Sequence, residues 1–217
     1  MNPIVVIATH NREEITTINL KLLKKQNCQI IVVVSNEYEI DWYLEYATVI
    51  IHPNNPLGRK FQAGVNHARK LDASHVIITG SDDILSKDFI ENYCKDWNYV
   101  GFKQWYTYHR GKIYLIDYLA DQAIGGGRVF SKKFLDKCDW RIFDERKDKL
   151  LDDRASNLVK THPEGCIELG IPEVLAIKGD WTTMNPFKSK HRNINIVTFY
   201  DEEESKILMK NKFLYDL

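Results

Sequence analysis

Two adjacent carboxylates, Asp82 and Asp83, have the setting in this chain that most invites chemistry. They follow Val76-Ile77-Ile78-Thr79, an apolar and β-branched run after His75 that is too short for a helix and is closed by the turn signal Gly80-Ser81. In an open parallel sheet, ligands bind beyond the carboxyl ends of the strands. Like charges side by side repel, so two acids placed there serve little structural purpose unless they meet a cation. Oxygen-only ligands of this kind suit Mg2+ or Mn2+ carrying a diphosphate. The plain alternative is a solvated acidic turn.

The acids can do this work only if their strand belongs to an α/β sheet, and the preceding chain supplies one. Pro3 to Ala8 is a near-continuous apolar run, as expected for a strand covered on both faces. After the polar turn Thr9-His10-Asn11-Arg12, a helix is expected with Ile15, Ile18, Leu22 and Leu23 on its core face. Glu13 and Glu14 in its first turn and Lys24 and Lys25 in its last complement the helix dipole. Gln29 to Val34 reads as a second buried strand, ending in Ser35-Asn36-Glu37, and Thr48 to Ile51 as a third. Pro56 suits the first position of a helix whose apolar stripe is Leu57, Phe61, Gly64, Val65, Ala68 and Leu71. The alternation of strand and helix is the signature of a parallel α/β sheet.

Beyond the acids, Ser86 is the expected cap of a short helix carrying Phe89, Ile90 and Tyr93. From Trp97 to Tyr118 the chain is rich in aromatics, with His109-Arg110-Gly111-Lys112 as a hairpin turn. Aromatic strands are usually packed strands, although one or two of these rings could stack on the apolar face of a sugar. Gly125-Gly126-Gly127-Arg128 allows close approach to a backbone; it lacks the spacing of a dinucleotide fingerprint. Ser131 is the expected cap of the next helix. Asp152 and Asp153 open another helix, with Ala155, Leu158 and Val159 on its apolar side, where acids often merely complement the dipole. Glu173 to Ile177 reads as a late strand, leading to the basic stretch Lys188-Ser189-Lys190-His191-Arg192. Asp201 to Leu208 reads as a capped amphipathic helix.

Composition narrows the class. A chain of 217 residues can bury a core without staples and fits one domain, or one with a small appendage. Thirty basic and thirty acidic residues balance, so charge favours neither nucleic acid nor an anionic membrane surface. The four scattered cysteines, without a CxxC pair, fit reduced thiols better than a disulfide framework or zinc site. No signal-peptide pattern or membrane-length apolar run is visible, and the expected location is the cytoplasm.

In order and spacing, these pieces resemble the GT-A glycosyltransferases of the family-2 type, over most of the chain to about Ile177. Ile-Val-Val-Ile-Ala-Thr-His-Asn-Arg is similar to that family's first strand and turn, so Thr9, His10, Asn11 and Arg12 are implied at the donor site. Asn36 and Glu37 fall where the family reads base and ribose. Asn55-Pro56-Leu57-Gly58-Arg59-Lys60 with Gly64, Asn66 and Ala68 is similar to its next helix. Ile78 to Ile84 is similar to its acid–any–acid strand end, Gly126 and Gly127 with Phe130 to its acceptor-side glycines, and Asp152-Asp153 to the pair holding the catalytic base. The chain departs at Gly80, which stands where the first acid is expected. Altered acidic motifs of this kind also occur in capsid-decorating glycosyltransferases of large DNA viruses, which would place the protein in a host's cytoplasm.

The resemblance implies a single GT-A domain over residues 1–217, with a nucleotide-binding half to about residue 96 and an acceptor-side half from about 97. The fold would be α/β and Rossmann-like, a mostly parallel central sheet flanked by helices, with a smaller antiparallel acceptor-side region. It implies Mn2+ or Mg2+ held by Asp82, Asp83 and His191, and a nucleotide-sugar donor, UDP-sugar above others, with its diphosphate near Ser81 and Asp82. Arg59 or Lys60 could pair with phosphate or base carbonyls. Asp153 would take a proton from the hydroxyl of a glycan or glycoprotein acceptor in an inverting displacement, with Asp152 beside it. Two alternatives stand: a catalytically idle nucleotide- or sugar-binding module, and a sugar-phosphate nucleotidyltransferase. The second would need a Gly-rich basic loop where Thr-His-Asn-Arg stands.

Overall fold

The apolar runs form the strands that their composition predicts, and their alternation decides which helix covers which face. The computed structural model describes residues 1–119, 121–147, 152–178 and 194–214. In chain order these form β1 (Pro3–Ala8), α1 (Glu13–Leu23), β2 (Gln29–Val34), β3 (Thr48–Ile51), α2 (Leu57–Lys70), β4 (His75–Gly80), β5 (Asp83–Leu85) and α3 (Phe89–Tyr93). They continue with β6 (Tyr99–His109), β7 (Lys112–Tyr118), β8 (Arg128–Ser131), α4 (Lys132–Lys137), α5 (Asp152–Thr161), β9 (Cys166–Ile177), β10 (Ile194–Tyr200) and α6 (Glu202–Leu208).

The fold is mixed α/β, a large central sheet flanked by helices. Strands β3-β2-β1-β4 lie side by side and all parallel, as the sequence indicates for the first half. From β4 the sheet turns antiparallel through β8, β6, β7 and β10, while β9 runs parallel to β6 and pairs antiparallel with β5. Side chains alternate across a strand. Ile4, Val6, Ile31, Val33, Val76 and Ile78 meet Val65 and Ala68 of α2 and Phe134 of α4 on one face. Val5, Ile7, Val32, Val34 and Ile77 meet Leu20 and Leu23 of α1 and Phe89 of α3 on the other. The helix after β1 and the helix before β4 therefore cover opposite faces, and the order reverses between β1 and β4.

Several local expectations are met. Arg110 and Gly111 form the tight hairpin between β6 and β7, at φ 51° and 82°. The Ser131 side chain accepts from the Phe134 N–H, and Asp201 caps α6 by accepting from Glu203 and Glu204. All four cysteines are unbridged.

Others are corrected. Ser86 does not cap α3; Asp88 holds that position, and the Ser86 hydroxyl donates to Glu173 instead. Pro56 precedes α2 as its extended cap residue rather than opening it, and Leu71 is 37% exposed. Leu22 and Leu23 of α1 are buried as expected, but the other buried positions are Thr16, Asn19 and Leu20, with Ile18 at the surface and Ile15 only half-buried. The helix is rotated because Thr16 and Asn19 have partners beneath it, described below. β9 is also longer than its apolar core, because its first half pairs with β6.

Gly64 sets the distance between α2 and the sheet. A Cβ there would stand 2.4 Å from Val6 Cγ1 and 3.0 Å from Val33 Cγ2. In an open helix, Gly→Ala gains about 1 kcal/mol; overpacking a tight core costs about 1–3 kcal/mol. Gly64→Ala should therefore lower the urea midpoint despite its better helix propensity, and adding Val6→Ala should recover part of the loss. A midpoint raised by Gly64→Ala alone would show that the helix has room.

Candidate functional site

The parallel pairing of β1 with β4 gathers charge at the carboxyl end of the sheet. β4 ends at Gly80, Ser81 and Asp82 turn the chain, and β5 starts at Asp83. Asp82 is 7% exposed, and each of its oxygens meets a cation. Oδ1 accepts from Arg12 Nη1 at 3.1 Å, and Oδ2 accepts from Lys178 Nζ at 2.8 Å. Arg12 Nη1 also donates to Ser81 Oγ at 3.1 Å. Asp83 Oδ2 accepts the Gly80 N–H at 3.2 Å, and its Oδ1 lies 3.8 Å from Lys178 Nζ. Burial pushes the Asp83 carboxyl up to about 6; Lys178 opposes the rise and the charge of Asp82 adds to it. Burial would depress Lys178, but the two carboxylates outweigh it and hold the ammonium above its ordinary value.

The glycines around Asp83 explain the departure at residue 80. A Cβ on Gly80 would lie 2.5 Å from Asp83 Oδ2, and one on Gly126 would lie 2.8 Å from the same oxygen. The carboxylate fills the space that two side chains would need. Gly127 at φ +76° turns the chain into β8, and its N–H donates to Ile78 O at 2.9 Å. Gly126 thus borders the acid loop, with Asp83 as the group approached, while Gly127 faces Val174.

Lys178 is held at both ends of its own peptide unit. The Ile177 N–H donates to Asp82 O at 2.8 Å, the Lys178 N–H to Tyr108 O at 2.9 Å, and Lys178 O lies 3.1 Å from His109 Nδ1. Beneath the loop, the Asn19 amide donates to Gly80 O at 3.3 Å and Asp83 O at 2.9 Å. Thr16 Oγ1 meets Thr9 Oγ1 at 3.0 Å. These three bonds fix the rotation of α1.

A second buried charge pair lies under the ends of β1 and β2. Glu39 is fully buried and accepts the N–H groups of Asn11 at 2.6 Å, Ser35 at 2.8 Å and Asn36 at 2.9 Å. Burial alone would raise its carboxyl, but these bonds and the charge of Lys60 keep it below the usual range. Lys60, also fully buried, donates to Thr9 O, to Ser35 Oγ at 2.7 Å and to Asn54 Oδ1 at 3.2 Å. Burial pulls its ammonium down to about 8, against the pull of Glu39. Lys60 thus directs its donors at the strand ends.

The remaining candidates are placed as follows. His10 is 4.0 Å from Glu39, and Asn11 adopts φ 52°. His10 to Ile15 and Ile18 line an open depression of about 540 Å³ at the head of α1. Asn36 starts a short 3-10 turn over Glu37–Glu39 in a capping box with Glu39, leaving Glu37 exposed. Gly58 is a packing glycine rather than a ligand cradle: its N–H donates to Lys147 O at 2.9 Å, and a Cβ would sit 2.1 Å from Asp144 O. Arg59 forms a 3.9 Å surface pair with Glu145. Asp153, 38% exposed at the start of α5, pairs with Lys147 at 4.0 Å. Asp152 begins the same helix. His191 lies outside the described residues.

Glu39 and Lys178 were not singled out by the sequence. The Asn36-x-x-Glu39 spacing is a capping signature that could have found the first. The second emerges only when β9 pairs with β5, opposing Asp83 to Ala176.

As arranged, the acids do not fit a divalent-cation site. Mg2+ needs oxygens at about 2.0–2.1 Å with near-octahedral geometry, whereas both oxygens of Asp82 and one of Asp83 already bond protein donors. Among the described residues, no group of three or more His, Cys, Asp or Glu side chains is gathered for a metal ion.

No family model and no curated protein matches the chain. Among solved structures, it is similar to S. aureus TarS, with TM-score 0.61 and 15% identity over 82% of this chain and 37% of that one. It is also similar to a CMP:2-keto-3-deoxy-manno-octonic acid synthetase in complex with CTP (TM-score 0.51, 9% identity, 80% and 91% covered). A third is the inositol-1-phosphate CTP transferase of T. maritima (0.52, 12%, 83% and 89%). At these identities the likeness establishes the fold, and this chain spans 37% of the length of TarS. No helix among the described residues is long and apolar enough to cross a membrane.

Lys60→Met should leave the buried Thr9 carbonyl, and the less buried Ser35 and Asn54 oxygens, short of a donor and lower stability by about 1–3 kcal/mol. The lowered pKa also fixes a sign. The native state sheds the Lys60 proton near pH 8, below the unfolded chain's 10.5, so its contribution grows as pH rises through that window and is lost as pH falls through about 8. The stability gap between parent and variant should widen from pH 8 to 10 in urea titrations; a gap constant with pH would refute the depressed ammonium.

Proposed function

We propose that the protein is a glycosyltransferase that moves a sugar from a nucleotide-diphosphate sugar to a hydroxyl of a glycan or glycoprotein, with inversion. The observation that carries this reading is the meeting of Arg12, after β1, with Asp82, after β4, at 3.1 Å. In open α/β sheets the ligand crevice lies outside the carboxyl ends of the strands where their order reverses. In this chain, that crevice is lined by the charges of Arg12, Asp82, Asp83 and Lys178, with Asp82 buried and the others half-buried. The fold is shared with TarS, a GT-A-like glycosyltransferase, which supports a donor of the nucleotide-sugar class.

On this reading the nucleoside lies toward the ends of β1 and β2, by Asn11 and the Asn36–Glu39 turn, and the diphosphate lies over Ser81 and Asp82. Asp153 accepts the proton of the acceptor hydroxyl as that oxygen bonds the anomeric carbon and the bond to the diphosphate breaks. A positioned base of this kind contributes about 10²–10⁴ in rate. At 38% exposure, and 4.0 Å from Lys147, the Asp153 carboxylate is open to an acceptor.

A nucleotidyltransferase is the second reading, favoured by the coverage of about nine-tenths of two CTP-linked enzymes. Against it stands the loop after β1, where Thr9-His10-Asn11-Arg12 offers no run of glycines to wrap a triphosphate. A panel of UDP-, GDP- and TDP-sugars, scored for release of nucleoside diphosphate, separates the two from CTP with sugar phosphates, scored for pyrophosphate. Pyrophosphate release alone would favour the second.

Asp153→Asn keeps the shape of the side chain and removes the proton acceptor. It should melt within a few degrees of the parent, bind donor normally and lose at least about a hundredfold in transfer. Asp152→Asn, about 100° around the helix, should be much milder. Exchange of the two behaviours would move the base to Asp152; transfer unaffected in both would leave this helix start structural.

A further inference from the structure

We infer that Lys178, with Arg12, holds the place at the strand-end acids that a divalent cation would otherwise take, so that this site binds its diphosphate ligand without metal. The inference rests on the proposed reading for its ligand class and on the geometry for its cation.

Four observations converge. Lys178 Nζ lies within 2.8 Å of Asp82 and 3.8 Å of Asp83, so it bridges the two carboxylates from which a metal would have to take its oxygens. Arg12 closes the other oxygen of Asp82 at 3.1 Å. The two cations balance the two carboxylates, so a further dication would bring uncompensated charge into a crevice that is already nearly buried. Asp83 cannot swing out to offer both oxygens without leaving the slot between Gly80 and Gly126.

The backbone argues against a chance rotamer. Hydrogen bonds fix the Lys178 amide to Tyr108 and the preceding amide to Asp82 itself, so the side chain starts from a point tied to the acid that it neutralises. Its side chain is 12% exposed and the side chain of Asp82 is 10% exposed. A buried ammonium paired with carboxylates is costly to remove, because removal leaves uncompensated charge. The same arrangement explains why Gly80 is tolerated where a metal-binding acid is expected: a lysine bridge needs no third carboxylate. Toward a diphosphate, an ammonium and a guanidinium donate charge-assisted N–H hydrogen bonds where a dication would act as a Lewis acid.

The test uses the full chain with Mn2+ alone, followed by electron paramagnetic resonance, and UDP with either Mn2+ or EDTA. The parent should bind no more Mn2+ than Asp82→Asn/Asp83→Asn. Lys178→Met, which frees the acids, should gain a Mn2+ site at least about tenfold tighter, and Asp82→Asn added to it should abolish that site. UDP affinity of the parent should change less than about twofold between Mn2+ and EDTA. A stoichiometric Mn2+ site in the parent that is lost in the double Asn variant overturns the inference, as does a tenfold or greater loss of UDP affinity in EDTA. If UDP fails to bind in every condition, the donor reading falls, while the metal-alone arm still decides whether Lys178 replaces the cation.

Discussion

A buried charge must find its opposite, and the site of this protein follows from that constraint. An ion taken out of water pays a desolvation cost of several kcal/mol that is recovered only with close partners and full hydrogen bonding. At the end of β4, Asp82 and Asp83 satisfy this through Lys178 and Arg12. Under β1 and β2, Glu39 and Lys60 satisfy it through backbone groups and each other's field. The elements that look like scaffold are arranged to serve these groups. α1 turns a polar pair, Thr16 and Asn19, inward at some loss of apolar burial, because the loop carrying the acids needs their hydrogen bonds.

The two charge clusters divide the labour. The Lys60–Glu39 pair lies wholly inside and ties together the ends of β1, β2 and the loop after β3, so it fixes the shape of the crevice floor. The Asp82 cluster is partly open and carries the charge that a ligand would meet. β9 connects it to the other half of the sheet: this strand runs along β6 and ends with its last amides on Asp82 and Tyr108. A movement of the antiparallel half would therefore be felt directly at Lys178.

Much of the scaffold was legible in the sequence because it depends on local pattern. β1, β2 and β4 are apolar on both faces, and covered parallel strands must be so; the boundaries of β2 and β3 fell where composition put them. The acids at the end of β4 were visible for the same reason. What pattern could not show was the partner of each charge. Lys60 sits four residues into an amphipathic helix and reads as a solvent-facing cation until α2 is laid across the strand ends. Lys178 lies ninety-six residues from Asp82 in the chain, and only the β5–β9 pairing brings them together. Hydropathy favours Ile15 and Ile18 over Thr16 and Asn19 for the inner face of α1, because it takes no account of a hydrogen bond to a distant loop.

The slot around Asp83 also bears on how such a site can drift over evolutionary time. Gly80, Asp83 and Gly126 come from three separate segments and share one small volume. A side chain at either glycine would crowd the carboxylate, and loss of the carboxylate would leave Lys178 with one acid fewer. The three are therefore expected to be inherited together or exchanged together, with single-step intermediates at a disadvantage. A lineage that acquired this arrangement would keep it while the rest of the surface diverged. It would also pass unnoticed by any recognition rule that requires an acid at position 80.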